Sequence, residues 1–285
     1  MDLGSLFSPS YRSHEFSFNS LSGECSIIAL LASPSASTDF DRTGELIWPV
    51  SVLLAQCCLN LKSLSLLITT IDHPTFVELG AGMGLPSCAL LQQHSNLSVI
   101  ATDGADYSAD ESSPLTMNLS QYGDRACGKK LLWGCVEDVL ACSEKNIDVV
   151  IAADVCQWPS VIEPLALTIH ALLWRSEEAR IGKNFPPFFF LGIVERDDGS
   201  LKQTFFSKLK SLGFTIREIP NDEFLRKSAS GDYMFPKSGA EFGGRVCKIY
   251  EMELVNFAIQ PSLLSVDGLD CIQGSGFAQT LTMPC

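Results

Sequence analysis

Residues 76–85, FVELGAGMGL, decide the fold of this chain. An apolar run ends in the acid Glu78, glycines follow at alternate positions, and a segment compatible with a helix begins at Pro86. This order predicts a buried strand, a tight turn and a helix. Glycine suits such a turn because its backbone, which lacks a Cβ atom, adopts positive φ and allows a ligand to lie against it.

The glycine spacing is GxGxG, which differs from the GxGxxG of dinucleotide-binding folds, and no Lys-Ser/Thr pair follows for a phosphate loop. A second apolar run, residues 99–102, ends at Asp103. An acid at the tip of the neighbouring strand accepts two hydrogen bonds from ribose hydroxyls. Together these features indicate a nucleoside cofactor without phosphate, and S-adenosyl-L-methionine (AdoMet) is the leading candidate. A purely structural strand-to-helix corner is the alternative for the glycine turn alone.

The composition narrows the class of protein. The 285 residues, 46% of them hydrophobic, are enough for one large domain or two small ones. The formal net charge is −13, and no basic stripe for nucleic acid is present. This acidity either keeps a soluble protein in solution or recruits a basic partner such as a lysine-bearing peptide.

The cysteines and the apolar runs indicate in which cellular compartment the protein is expected. The eleven cysteines include no C-x-x-C pair and no histidine at metal spacing, so we expect reduced, buried thiols and no metal site. The longest apolar runs, 27–32 and 185–194, are too short to span a bilayer, and residues 1–12 do not resemble a secretory leader. We therefore predict a cytoplasmic or nuclear protein that does not bind membranes.

The pattern along the chain predicts an α/β fold with a doubly wound, mostly parallel seven-stranded (Rossmann-like) sheet, an antiparallel edge strand and an N-terminal β-hairpin. Predicted strands are 75–79, 97–102, 130–133, 147–152, 187–194, 214–219 and 246–254, and predicted helices are 50–61, 86–94, 114–122, 160–174 and 201–212. We divide the chain into a hairpin and loop extension (1–45), the main domain (46–255) and a tail (256–285).

In open α/β sheets a ligand lies outside the carboxyl ends of the strands. The predicted strand ends carry Glu78, Asp103, Trp133, Asp154 and Glu195–Arg196. Glu78 would orient the turn or a cofactor amino group, and Trp133 would pack either on an adenine or in the core. Asp154 would hold an amine nucleophile or cap the next helix. The backbone N–H groups of Gly80 to Gly84 would face the methionine carboxylate.

These residues resemble the class I AdoMet-dependent methyltransferases and, more narrowly, the seven-β-strand protein-lysine methyltransferases of methyltransferase family 16. The resemblance runs from about Phe16 to Leu254. It rests on Trp48–Pro49 after Gly44, the turn 77–84, Asp103, Asn118, Leu132–Trp133–Gly134, Ala153–Asp154 and Glu195–Arg196.

The resemblance implies a role for each matching residue. Trp48 would close over the cofactor, Gly80, Ala81 and Gly82 would line its methionine part, Asp103 would take the ribose, and Trp133 and Ala153 would border the adenine. Asp154 would begin the family's Asp-x-x-Tyr motif beside the methyl acceptor. The fourth position of that motif is Gln157 here instead of tyrosine, and the adjacent Trp158 would supply an aromatic wall.

The resemblance implies methyl transfer from AdoMet, with S-adenosyl-L-homocysteine as the product, to a lysine amine of a protein. The expected partner is a protein substrate, basic or of chaperone type, acted on by a monomer. The absence of an Asn/Asp-Pro-Pro-Tyr motif argues against methylation of nucleic acid. Two alternatives stay open: a small-molecule N-, O- or S-methyltransferase, and a methyltransferase-like scaffold that has lost activity.

Overall fold

The computed structural model describes residues 11–21, 25–32, 44–104, 113–143, 146–174, 185–196, 198–236, 241–242 and 244–261. Most of the predicted loop 33–44 and of the predicted tail 256–285 therefore lies outside the described residues. The proposed boundaries between extension, main domain and tail stay predictions.

Ten strands, seven α-helices and two short 3₁₀ helices, Gly123–Arg125 and Asn221–Glu223, form the described structure. The strands are β1 (Arg12–Asn19), β2 (Cys25–Ala32), β3 (Thr75–Leu79), β4 (Ser98–Asp103), β5 (Ala126–Lys130), β6 (Val149–Ala153), β7 (Phe188–Val194), β8 (Phe214–Glu218), β9 (Glu241–Phe242) and β10 (Arg245–Leu254). The helices are α1 (Pro49–Asn60), α2 (Lys62–Thr70), α3 (Leu85–Gln93), α4 (Pro114–Ser120), α5 (Val136–Cys142), α6 (Pro159–Leu173) and α7 (Ser200–Ser211).

The main sheet has the strand order β5-β4-β3-β6-β7-β10-β8, with the short β9 paired to β10. Strands β3 to β7 are parallel, whereas β10 runs antiparallel to both β7 and β8. The predicted doubly wound, mostly parallel sheet is confirmed, and its antiparallel strand is β10, which lies between β7 and the edge strand β8. The chain runs outward from β3 to β5 and then returns to β6 on the other side of β3, so the strand order switches between β3 and β6, where such sheets bind ligands.

Two hydrophobic clusters cover the two faces of the sheet. Successive side chains of a strand point to opposite faces, so Phe76 joins the cluster with α1, α3 and the hairpin, while Val77 joins the one with α6 and α7. Within the described ranges no single helix is long and apolar enough to cross a membrane, although α1 and α2, with a bend of 58° between them, pass that test together.

Three local predictions differ from the structure. The third strand of the parallel set is Ala126–Lys130 and not 130–133, because this edge strand lacks an apolar run and the residues after it turn, with Cys135 N–H donating to Leu132 O at 3.0 Å. Helices α2 and α5 were not predicted from the pattern. Both are short and begin without a side-chain cap, so they carry few of the usual start signals.

The predicted N-terminal hairpin is confirmed as the antiparallel pair β1–β2. Two buried side-chain amides bind its backbone: Gln56 pairs with the N–H and C=O of Asn19 at 3.1 and 2.7 Å. Asn118 pairs in the same way with Leu31, at 2.7 and 3.0 Å, and also donates to the carbonyl of Met83 at 3.0 Å. Asn118 therefore connects the hairpin directly to the glycine turn.

Replacement of Asn118 by leucine should separate the hairpin from the turn. The change leaves the N–H and C=O of Leu31 and the C=O of Met83 without this partner, and an unsatisfied buried backbone group costs about 1–3 kcal/mol. We expect urea denaturation to show a loss of about 3 kcal/mol in unfolding free energy. Gln121→Leu, which removes one hydrogen bond at the exposed end of α4, is the control. Equal losses in both variants would contradict the role of Asn118 in connecting the hairpin to the turn.

Candidate cofactor and acceptor site

The glycine turn lies between β3 and α3, at the carboxyl edge of the sheet. Gly80 and Gly82 have φ values of +61° and +53°, which residues other than glycine rarely adopt. The Ala81 N–H donates to the carbonyl of Thr102 at 2.9 Å, so the turn is bound to the neighbouring strand β4. The local geometry is the one that the alternating glycines predict.

Two other segments approach the turn so closely that a Cβ atom would not fit. On Gly80 it would lie 2.8 Å from Cγ1 of Val155, which belongs to the loop after β6. On Gly82 it would lie 2.7 Å from the carbonyl oxygen of Gly44, in the segment that leads to Trp48. Both segments carry predicted site residues, so the structure brings them together at the turn.

Asp103 ends β4 and reaches over the turn. Its Oδ2 accepts a hydrogen bond from the Gly82 N–H at 3.0 Å, and the residue is half-buried. A carboxylate accepts about four hydrogen bonds, so a bond from the Gly82 N–H is compatible with the predicted role of Asp103 in binding the two hydroxyls of a ribose.

The backbone donors of the turn differ from the expectation that they all face a methionine carboxylate. The N–H groups of Ala81, Gly82 and Gly84 donate to Thr102, Asp103 and Ala81 respectively. Because the turn is short, its own carbonyls and the adjacent strand take these donors. Contact of Gly80, Ala81, Gly82 and Gly84 with the cofactor stays a prediction.

Glu78 faces the protein interior and not the open edge of the sheet. It is 2% exposed, and its Oε2 accepts hydrogen bonds from both the N–H (3.0 Å) and the hydroxyl of Ser87, in the first turns of α3. These contacts join β3 to α3, and both predicted roles of Glu78 stay predictions. Burial raises the pKa of Glu78 to about 8, with the Ser87 hydrogen bonds opposing that shift.

This shift predicts a pH dependence of stability. The folded protein holds the Glu78 proton from the ordinary carboxyl range near 4.5 up to about 8, whereas the unfolded chain has released it. Stability should therefore fall as the pH rises through this window. Glu78→Gln should remove that slope, worth a few kcal/mol at about 1.4 kcal/mol per pKa unit, in urea denaturations at pH 5 and pH 8.5. An unchanged slope, matching that of the exposed control Glu137→Gln, would contradict this assignment.

Two tryptophans lie near the edge of the sheet. Trp133 follows β5, is half-buried, and its Cζ2 lies 3.5 Å from the Cβ position of Gly80. Trp48 directly precedes α1, and Val50, two residues later, contacts Gly192 on β7. These positions are compatible with the predicted adenine and lid roles, which stay predictions, as does the bordering role of Ala153 at the end of β6.

Asp154, directly after β6, is surrounded by partners. Its φ of +54° is unusual for a residue other than glycine, and its N–H donates to the Gly192 carbonyl at 2.8 Å. Arg196 holds both carboxylate oxygens, at 2.9 and 2.7 Å, and Gln157 Nε2 donates to Oδ2 at 2.8 Å. The Val194 N–H lies 3.4 Å from Oδ1, and the side chain is only 2% exposed. The acid is thus buried and paired on both carboxylate oxygens.

Two alternative roles of Asp154 were predicted from the sequence, whereas this ion pair was not. Asp154 does not cap α6, because the N-cap residue of that helix is Trp158. The predicted amine-holding role stays a prediction; in this structure the carboxylate pairs with Arg196. The ion pair was missed because sequence spacing does not show which strands are neighbours. The detectable signal was that Asp154 and Arg196 each follow a predicted strand; β6 and β7 are adjacent.

Glu195, directly after β7, belongs to a different group of polar side chains from Asp154 and Arg196. Glu195 accepts hydrogen bonds from Lys202 at 2.7 and 2.6 Å and from the Tyr250 hydroxyl at 2.8 Å, so it forms a separate polar group at the start of α7. Burial raises the pKa of the Cys156 thiol to about 12, which makes this cysteine a poor nucleophile. Among the described residues, no group of three or more His, Cys, Asp or Glu side chains is placed to hold a metal ion.

The residues at the edge of the sheet fit AdoMet. The glycine turn and Asp103 combine close backbone approach with a carboxylate at the tip of the next strand, and the aromatic ring of Trp133 lies beside the turn. A nucleoside bearing a sulfonium needs a hydroxyl acceptor and a flat apolar surface, and it needs no phosphate-binding cations.

Several of the similar solved structures are methyltransferases. Similar structures include the CurJ carbon methyltransferase (15% identity, TM-score 0.42, 66% of this chain and 51% of that one). Others are precorrin-6y C5,15-methyltransferase from Geobacter metallireducens (12%, 0.43, 79% and 94%) and the mitomycin 7-O-methyltransferase MmcR (16%, 0.45, 72% and 54%). The match thus spans about half the length of the CurJ and MmcR chains. No curated protein sequence matches this chain.

A family model provides the sequence-level assignment. The model described as lysine methyltransferase, which represents methyltransferase family 16, matches residues 36–210, more than half of the chain. That range contains the glycine turn, the acid of β4, and the Asp154–Arg196 pair. Membership of this family implies AdoMet as the cofactor. The chain belongs to this family of AdoMet-dependent methyltransferases.

Proposed function

We propose that this protein transfers the methyl group of AdoMet to the ε-amine of a lysine in a protein substrate. The observation that carries the proposal is the match to the lysine methyltransferase family over residues 36–210. AdoMet supplies a methyl group already activated on a sulfonium. The chain itself must therefore bind the acceptor, exclude water from it and align its nitrogen, and positioning of this kind supplies much of a rate enhancement.

Charge supports a basic protein substrate. The chain carries a net charge of −13, and acids cluster in the sequence next to site residues. Asp39 and Asp41 precede Gly44, while Asp106, Asp110 and Glu111 follow Asp103. Negative charge near a binding site raises the local concentration of cationic partners and speeds their association. A lysine-containing segment of a basic protein is the acceptor that this charge distribution favours.

A transfer experiment tests the proposal. Cell extract is incubated with AdoMet labelled in its methyl group, with and without the purified protein. Labelled product is then separated into polypeptide and small-molecule fractions, and labelled protein is hydrolysed to amino acids. We expect label in a polypeptide, recovered as methyl-lysine. Label confined to small metabolites would replace the proposal with small-molecule methylation.

A calorimetric titration distinguishes an active enzyme from the remaining alternative, a methyltransferase-like scaffold without activity. A scaffold that has lost activity need not bind AdoMet, whereas an active transferase must. Saturable binding of AdoMet, together with transfer of label, supports the enzyme. Failure of the purified, folded protein to bind AdoMet would overturn the proposal.

A further inference from the structure

We infer that Gln157, and not Asp154, is the residue that contacts the methyl-accepting amine, and that Arg196 and Asp154 position it. The inference rests on the proposed function and identifies a specificity-determining residue within the same site. It follows from the hydrogen bonds around the loop 154–158, which connects β6 to α6.

The orientation of the Gln157 amide is determined by its partners. Its Nε2 donates to the Asp154 main-chain carbonyl at 2.9 Å and to Asp154 Oδ2 at 2.8 Å. Both partners are acceptors, so the nitrogen must face them and Oε1 must point away from Asp154. Gln157 is half-buried, and in the described part of the chain no residue donates to Oε1.

Asp154 is unsuited to direct contact with the amine. The Arg196 guanidinium forms two hydrogen bonds with its carboxylate, and its side chain is only 2% exposed. Such paired, two-point contacts are the strongest hydrogen bonds that an arginine makes. An incoming ammonium would have to displace Arg196 and leave that guanidinium unpaired, which makes exchange unfavourable.

The loop places Gln157 at the expected binding edge. It follows β6, next to the point between β3 and β6 where the strand order switches and where α/β sheets bind ligands. Val155, two residues before Gln157, lies against the glycine turn at Gly80. The same short loop thus touches the turn and presents an amide oxygen.

An amide oxygen selects a different form of the acceptor from a carboxylate. Asp154 and Arg196 cancel in charge, so the amine meets a neutral acceptor atom with a guanidinium nearby. A neighbouring cation and a missing anion both favour the uncharged amine. Only the uncharged amine has the lone pair that attacks a methyl group. In this account the ion pair orients Gln157 and prevents Asp154 from stabilising an ammonium.

Sinefungin provides a probe that does not require the natural substrate. In this AdoMet analogue a carbon bearing an amine replaces the methylated sulfur, so its amine occupies the acceptor side of the site. S-adenosyl-L-homocysteine lacks that amine and reports on the cofactor pocket alone. Calorimetric Kd values for both ligands are measured for wild type, Gln157→Met, Arg196→Met and Arg196→Lys, with Gln203→Met on the exposed face of α7 as the matched control.

We expect Gln157→Met to weaken sinefungin by about tenfold, the worth of one hydrogen bond to an amine, and to leave S-adenosyl-L-homocysteine within about twofold. The Gln203→Met control should match wild type for both ligands. If both ligands weaken equally in Gln157→Met, or neither changes, the inference is overturned. If wild type binds neither ligand, the proposed function itself fails.

The positioning role of Arg196 has its own readout. Because the site favours the uncharged amine, the preference for sinefungin over S-adenosyl-L-homocysteine should weaken as the pH falls, and the midpoint of that change reports the pKa of the bound amine. Arg196→Met leaves Asp154 uncompensated, so this midpoint should move to higher pH, whereas Arg196→Lys keeps a cation and should remain near wild type. A purely structural role would alter both affinities without moving the midpoint, and that result would overturn the positioning role.

Discussion

Gly82→Ala should lose AdoMet affinity by more than about tenfold, or more than about 1.4 kcal/mol, in a calorimetric titration. The new Cβ would lie 2.7 Å from the Gly44 carbonyl oxygen, closer than such atoms pack, and it would be attached at a φ of +53°. The Cβ is fixed to the backbone of the turn and the Gly44 oxygen belongs to the main chain, so a side-chain rotation cannot relieve the clash. Either the turn or the segment leading to Trp48 must move.

Gly123→Ala is the control that separates the backbone strain of a positive φ from the steric clash with Gly44. Gly123 has a similar φ of +58°, but nothing lies within 4 Å of its Cβ position. Both variants carry the cost of a left-handed backbone, about 1–2 kcal/mol in unfolding free energy. Only Gly82→Ala should lose AdoMet. Equal affinities in the two variants would show that the approach of Gly44 to the turn does not contribute to the cofactor site.

Arg196→Met should lower the unfolding free energy by about 3 kcal/mol, because removal of one partner leaves a buried charge uncompensated. The Asp154 side chain is 2% exposed and its strongest contacts are the two bonds to this guanidinium. The Arg196 side chain itself is 31% exposed, which places the effect at the lower end of the range for fully buried pairs. Urea denaturation at neutral pH measures the loss.

A control variant and a double-mutant cycle test whether the loss comes from the buried Asp154–Arg196 pair. Lys208→Met removes a cation from the solvent-exposed pair between Lys208 and Glu163, which should cost less than about 1 kcal/mol. The single variant Asp154→Asn and its combination with Arg196→Met complete a double-mutant cycle. The double variant should recover part of the loss, because the charge is removed along with its partner. Additive effects in the cycle, or a loss no larger than that in Lys208→Met, would contradict a stabilising role for the buried pair.

The main sheet could be predicted because its strands are long apolar runs that end in polar residues. The strand containing Glu78 and the strands that end near Asp103 and Asp154 all follow this pattern, and burial on both faces of a parallel sheet requires it. The edge strand β5 does not follow it: Ala126–Lys130 contains two lysines and pairs with β4 alone. Its backbone pairing, and not its hydrophobicity, makes it a strand.

The candidate site was predicted by position but not by contact. Glu78 was expected at the strand end, yet its side chain turns inward to Ser87 in α3. Asp154 and Arg196 were both identified, yet their ion pair was not, because it depends on β6 and β7 being neighbours. The amide of Gln157 was noted only as a departure from the family tyrosine, and its orientation depends on Asp154.

The sequence by itself determined the glycine turn, the run of strands and helices and the family, since these depend on local backbone preference and on apolar periodicity along the chain. Only the tertiary structure decided which polar and charged groups lie close enough to pair. The contacts of Asn118 with Leu31 and of Arg196 with Asp154 join residues 87 and 42 positions apart. Such contacts exist only after the strands are ordered and packed, because hydrogen bonds and ion pairs form over a few ångströms in space.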